Sequence, residues 1–340
     1  MTCDVKTKRV LEARIAYAVQ REVEDIFRFH EKKIVVIAGP TGVGKTACSL
    51  KLAQAINGEI VSIDSQQVYR GMDIGTAKAS LQERTAVPHH LIDIRNVTDP
   101  FNVVDFYHEA LHACKDIILR GKVPIAVGGT GFYLHALIYG PPEGPPSCPE
   151  IRKTLEEDAE KFGIELLFGK LQEYDPEYAA SITKSDAHKI IRALEIIELS
   201  RKKVSAFTWK EKVENPAFDW RCWFLHMPRK LLYQKIEERC DAMLAQGFLQ
   251  EVIALDRAGI RQNKTAAQAI GYKQSLAFLD TAQSSQDYEQ FVAAFKTASR
   301  HLIKKQLTWF QKEPLFTWLD VSTYSEEQVV DIIKTGYEHE

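Results

Sequence analysis

The octapeptide Gly39-Pro40-Thr41-Gly42-Val43-Gly44-Lys45-Thr46 constrains this chain more than any other feature. It has the spacing G-x-x-x-x-G-K-[ST]. It follows a short β-branched run, Lys33–Ala38, and leads into a helical stretch, Ser49–Ile56. Glycines let successive backbone N–H groups curl around anionic oxygens, and the helix N-terminus adds positive potential. Lys45 contributes a point charge, and the Thr46 hydroxyl suits Mg²⁺. A strand, a glycine loop and a helix in this order belong to a parallel α/β sheet, so all-β and all-helical folds are excluded. The loop implies a bound diphosphate or triphosphate with Mg²⁺ and leaves the reaction open.

The rest of the chain is consistent with such a sheet. Glu59–Ile63 and Val123–Val127 read as further strands, with helical stretches between them such as Val103–Leu119. A Pro/Gly hinge, Tyr139–Pro149, then interrupts the pattern, and 150–205 carry helical periodicity without a convincing strand. Strand character returns at Arg221–His226, helices fill 229–312, and Leu315–Leu319 reads as a last strand. The expected architecture is α/β: a P-loop NTPase-like parallel sheet core with an inserted all-helical domain. Its expected boundaries are a helical extension at 1–32, core at 33–141, insertion at 142–212, core again at 213–322 and a tail at 323–340.

Composition sets limits on partners and compartment. The 340 residues, 45% of them hydrophobic, suffice for two structural units and exclude intrinsic disorder. Forty-four Lys and Arg against 46 Asp and Glu leave a net charge of −2. That argues against a polycation but permits a local basic face. No apolar run approaches the ~18 residues of a spanning helix, and the first residues lack the apolar core of a secretory signal. The six cysteines are scattered with no C-x-x-C pair, which reads as free cytosolic thiols. The expectation is a cytoplasmic protein with no membrane contact.

Two further positions belong to the strand ends. Asp64 closes the second strand, so it should share the crevice at the carboxyl edge with the phosphate loop. There it could hold Mg²⁺, orient a nucleophile or take its proton, or it could simply cap a turn. Gly128-Gly129-Thr130-Gly131 repeats the arrangement after Val123–Val127, aiming Thr130 into the same crevice unless it only shapes the turn. No second hydrophobic strand ending in Asp accompanies the loop, which points away from NTP hydrolysis. His89 and His90 read as structural.

Several stretches occur in one order: GPTGVGKT (39–46), DSQQVYRGMDIGTAK (64–78), PHHLID (88–93), VGGTGFY (127–133), RALE (192–195), AIGYKQ (269–274) and SRHLIKKQLTWF (299–310). In these the chain resembles bacterial-type tRNA dimethylallyltransferases, the tRNA isopentenyltransferases, from about residue 33 to 320. The first 32 residues look like an extension beyond the usual start of that family. The resemblance implies transfer of the five-carbon group of dimethylallyl diphosphate to the exocyclic N6 amine of adenosine 37, in the anticodon stem-loop of tRNA, with release of pyrophosphate.

The resemblance also implies site residues. Asp64 matches the catalytic base, and Thr41 the threonine beside the reacting centre. Gly39, Pro40, Thr41, Gly42, Val43, Gly44, Lys45, Thr46 and Arg239 match the diphosphate site, with Thr46 on Mg²⁺. From sequence alone Arg239 reads as a helix-surface charge. The tRNA contacts carry over to Asp64, Ser65, Gln66, Gln67, Thr130 and Arg152. In the helical insertion they carry over to His188, Lys189, Ile190, Ile191 and Arg192, where the family often has Gln-Arg-x-x-Arg. Gln268–Lys273 and the cations Lys296, Arg300, Lys304 and Lys305 are further candidates; the alternative for the last group is a solvated charged face. The chain is expected to act as a monomer without an obligate protein partner. Three rivals share the loop: an isopentenyltransferase acting on free adenine nucleotides, a P-loop kinase or NTPase, and a non-catalytic P-loop RNA-binding module, against which the intact Lys45, Thr46 and Asp64 speak.

Overall fold

Six parallel strands form one sheet in the order β3-β2-β4-β1-β5-β6. They are β1 (Lys32–Ala38), β2 (Gly58–Ile63), β3 (His89–His90), β4 (Val123–Gly128), β5 (Phe218–His226) and β6 (Thr317–Asp320). The computed structural model describes residues 32–207 and 217–339. The expected helical extension at 1–32 lies outside these residues, apart from Lys32, which opens β1. Ile34–Ala38 of β1 are fully buried, as a central strand covered by helices on both faces requires. The helix Val103–Leu119 matches its sequence reading and starts on a capping box, in which Asn102 accepts from the N–H of Asp105 and the Asp105 side chain returns to Asn102.

The described residues form two compact units, 32–140 with 217–339, and 141–207. The junction follows Gly140, inside the Pro/Gly stretch. The smaller unit is helical and has its own core, including Leu155, Leu167, Phe168, Leu171, Ile190 and Leu194. Among the described residues, no helix is long and apolar enough to cross a membrane.

The structure departs from the sequence reading in three places. β5 begins at Phe218, earlier than expected, because Phe218 and Trp220 alternate inward along β1. The pair His89–His90 adds a short edge strand beside β2, with His90 Nε2 donating to Glu59 Oε2 at 2.8 Å. The segment 323–340 is no tail: Glu326–His339 is a helix whose Val329, Val330 and Ile333 are buried. Lys51, on the helix after the phosphate loop, meets Glu326 at 2.7 Å and Glu327 at 2.8 Å.

Glu59 anchors the amino end of the sheet. Its side chain is 2% exposed and receives Arg120 NH2 and Lys122 Nζ, both at 2.7 Å. These bonds, Arg120 foremost, hold its carboxyl far below the ordinary range against the opposing effect of burial. The folded pKa is depressed, so the stabilisation is present above the unfolded pKa and is lost as pH falls below it. Glu59→Gln should cost about 2 kcal/mol at neutral pH, less than breaking a fully buried pair because Arg120 and Lys122 reach solvent. Urea unfolding as a function of pH checks this: the gap between wild type and variant should start to narrow at about pH 5 and go on narrowing below about pH 3, because the folded carboxyl titrates far below its ordinary range.

Candidate active site

The carboxyl ends of β1, β2 and β4 open into one cavity of about 1150 Å³. Each strand delivers a loop to it. The phosphate loop after β1 depends on left-handed glycines, Gly42 at φ 85° and Gly44 at φ 105°, which an L side chain would strain. Gly44 caps the helix Lys45–Ala55 with no side-chain bond, so the first N–H groups of the helix have no side-chain partner. Thr41, Gly42, Gly44, Lys45 and Thr46 line the cavity. The other expected loop residues serve it indirectly. Val43 is buried beneath the loop, and the carbonyls of Gly39 and Pro40 accept Lys45 Nζ at 2.9 and 3.0 Å.

Lys45 is the electrostatic centre of the cavity. Burial, then the positive charge of Arg239, lowers its pKa to about 7, while Asp64 opposes them. Arg239, from the helix Arg229–Ala245, is likewise pushed down by burial and drawn up by Asp64. The fold therefore brings together three residues that are far apart in the chain. Arg239 is no surface charge: its Nε is buried and has no hydrogen-bond partner. A guanidinium in this state is suited to a polyanion.

Asp64 does two things at once. Its Oδ1 accepts the N–H of Gln66 at 2.8 Å and of Gln67 at 3.3 Å, shaping the turn. Among the described residues its Oδ2 makes no hydrogen bond, which leaves one carboxylate oxygen able to take a proton. Thr130 precedes the helix Gly131–Tyr139 but does not cap it with its side chain; its Oγ1 accepts the N–H of Ser65 at 3.4 Å, tying the second glycine loop to the Asp64 turn. Gln66 presents a buried Oε1 without a partner. Gln67 lines the cavity, but its amide is already engaged, accepting from Ser62 Oγ at 2.8 Å and donating to Thr76 O at 3.2 Å.

The helical unit holds a second group. Arg152 stands on the helix Pro149–Phe162, and His188 to Arg192 on the helix Ala187–Ser200. Burial, then Arg152, with further contributions from Arg192 and Lys189, holds the His188 imidazole below its ordinary value against Asp186. These cations therefore form one cluster. Ile190 and Ile191 do not belong to the expected contact surface: at 0% and 6% exposure they pack in the core, on the inward face of their helix. Arg192 is largely structural, donating to Glu195 Oε2 at 2.7 Å and to Pro145 O at 2.6 Å. Glu195, fully buried, also accepts from Ser147 Oγ and Cys148 N, both at 2.6 Å.

Two of the cations expected to face RNA are instead paired within the fold. Lys296 meets Asp241, and Arg300 meets Glu237, so both hold the helix Ser285–Phe310 against Arg229–Ala245. Lys305 and Gln268 do line the cavity. Two supports of the site carry no local sequence signal. Glu251 accepts the N–H groups of Asp73, Ile74 and Gly75 as well as the Tyr272 hydroxyl, fixing the loop that carries Thr76. Gln306 bonds Thr41 and Gly129. Only its place inside the SRHLIKKQLTWF stretch hinted at importance.

Fold and site define a phosphate-loop α/β protein whose loop faces a carboxylate and a buried arginine across a deep cavity. The model of the IPP transferase family matches residues 67–313, and the chain belongs to that family. Over 337 residues it is 53% identical to a tRNA dimethylallyltransferase of Protochlamydia amoebophila (strain UWE25), covering 99% of this chain and 98% of that one. The crystal structure of a tRNA isopentenylpyrophosphate transferase from Bacillus halodurans matches with a TM-score of 0.66 at 37% identity, over 91% of this chain and 97% of the other. A eukaryotic dimethylallyltransferase acting on tRNA matches at 0.73 and 29% identity, over 90% of this chain and 80% of its own.

The unpartnered Arg239 Nε yields a direct expectation. Arg239→Met should weaken binding of inorganic pyrophosphate with Mg²⁺ by about ten- to a hundredfold, as expected for charge-assisted bonds. Calorimetric titration measures this, and unchanged affinity would mean the guanidinium does not meet the anion.

Proposed function

We propose that this chain transfers the dimethylallyl group of dimethylallyl diphosphate to N6 of adenosine 37 in tRNA, next to the anticodon, releasing pyrophosphate. The observation that carries the reading is the meeting of Lys45, Arg239 and the free Oδ2 of Asp64 in one cavity. The allylic C–O bond breaks as the N6–C bond forms. The negative charge leaving with pyrophosphate needs cations, which Lys45 and Arg239 supply beside the loop N–H groups. The adenine amine is a poor nucleophile, and Asp64 takes the proton it loses. Thr41 and Thr130 flank this point from two adjacent loops.

Mg²⁺ fits the donor set. No cluster of three or more His, Cys, Asp or Glu able to hold a metal occurs among the described residues. A hard cation at the Thr46 hydroxyl would take its other ligands from diphosphate oxygens and water, as Mg²⁺ commonly does. When bound it neutralises charge on the departing diphosphate.

A base in a single-stranded loop can be splayed out and drawn into a pocket, which suits the target in the anticodon loop. The cluster Arg152, His188 and Lys189 suits the RNA backbone. The enzyme would work in the cytoplasm with its tRNA, as a monomer.

The test is to incubate the protein with labelled dimethylallyl diphosphate and either unmodified tRNA or AMP, with ATP controls. Label should enter tRNA at one adenosine. Label in AMP alone, or ATP hydrolysis alone, would overturn the reading. Asp64→Asn keeps an oxygen for the Gln66 and Gln67 N–H groups and removes the base. It should lower transfer by about 10²- to 10⁴-fold while tRNA affinity stays nearly unchanged; equal loss of both would make Asp64 structural. Arg152→Ala should weaken tRNA binding and reduce the salt slope of affinity by about 0.7 to 0.9.

A further inference from the structure

Gln306 sits on the helix Ser285–Phe310 and is 9% exposed. Its Oε1 accepts the Thr41 N–H at 3.0 Å, and its Nε2 donates to Gly129 O at 3.1 Å. A peptide N–H only donates and a carbonyl only accepts, so the amide has one orientation. The approach depends on glycine: a Cβ at residue 129 would stand 2.3 Å from Gln306 Nε2.

The place of this amide in the sheet gives it meaning. The pairing of β1 with β4 ends at Ala38 opposite Gly128. Beyond that rung the phosphate loop and the Gly129–Thr130 loop have no ladder between them. Gln306 spans the gap as a side-chain rung. Thr41 lies on one side of it, and on the other Thr130, whose hydroxyl reaches Ser65 beside Asp64. The donor's loop and the base's turn are thus joined through one amide.

We propose that Gln306 is a positioning residue for the transfer reaction, holding the two loops at the spacing that brings the donor's reacting carbon to the amine at Asp64. The proposal rests on the function proposed above. A misplacement of about 1 Å at such a centre costs about a hundredfold in rate.

A glutamate in its place makes a sharp test. A protonated carboxyl has one accepting oxygen and one O–H, so it can repeat both bonds. A carboxylate can only accept and faces the Gly129 carbonyl with like charge. The experiment compares wild type, Gln306→Leu and Gln306→Glu in kcat for dimethylallyl transfer to tRNA, from about pH 8.5 to about pH 5.5. Melting temperature and calorimetric affinity for Mg²⁺-pyrophosphate are measured on the same proteins. Gln306→Leu should lose about a hundredfold in kcat at every pH and about tenfold in pyrophosphate affinity while remaining folded. The kcat of Gln306→Glu relative to wild type should climb as pH falls.

Gln306→Leu within twofold of wild type in both readouts, or a pH-flat ratio for Gln306→Glu, would overturn the proposal. A Gln306→Leu protein that does not fold leaves the Gln306→Glu profile to decide. A wild type that binds pyrophosphate but transfers nothing would refute the proposed function, and the pyrophosphate affinities would then decide whether Gln306 sets the loop.

Discussion

An ammonium group cannot be withdrawn from water unless oxygen atoms surround it. Lys45 meets this condition with the Gly39 and Pro40 carbonyls and the nearby Asp64 carboxylate. Much of the large unit follows from holding those oxygens in place. The loop must fold back on itself, which needs left-handed glycines. Asp64 must stand at the end of a neighbouring strand, which needs a parallel sheet. Burial and Arg239 nonetheless bring the ammonium down to a pKa of about 7. A diphosphate beside it favours the charged form and pushes the value back up. The protein's own oxygens hold Lys45 in position, and an anion completes its charge balance.

What could be read from the sequence depended on how local the signal was. The phosphate loop, the strand ends at Asp64 and Gly128, and the helix Val103–Leu119 are written in contiguous residues, and they stand where periodicity and glycine spacing placed them. The two-residue β3 was invisible because a strand that short has no period. The helix Glu326–His339 has a weak local signal because its buried apolar positions, Val329, Val330 and Ile333, are few among charged residues, and only packing makes them a face.

The side-chain roles were harder to read, since spacing places a residue on a face but does not name its partner. Lys296 and Arg300 share a helix face, as i and i+4 residues do, yet that face meets Glu237 and Asp241. The resemblance makes His188–Arg192 one contact surface, but helical periodicity sends Ile190 and Ile191 inward. In the RALE stretch, the buried Glu195 turns out to be the anchor for the hinge at 145–148. Glu251 and Gln306 carried no local signal, because each acts on loops distant in sequence.

Within the near-zero net charge, two groups of side chains differ in kind. In one, carboxylate and cation saturate each other: Glu59 with Arg120 and Lys122, Glu195 with Arg192, Asp241 with Lys296. These pairs fasten elements together and leave little field outside. The other lies at the cavity and includes Arg239 with an unpartnered Nε, Asp64 with one oxygen free of hydrogen bonds, and Lys305, which has no ion pair among the described residues. All three members line the same cavity. An unpaired buried guanidinium is costly to a fold on its own. Its persistence beside a phosphate loop is understandable if a polyanionic ligand supplies the partner, and the free carboxylate oxygen nearby then has a proton to receive instead of a cation to hold. The charges that matter for chemistry in this chain are those that folding leaves unsatisfied inside the cavity, and a sum over the sequence cannot tell them from the rest.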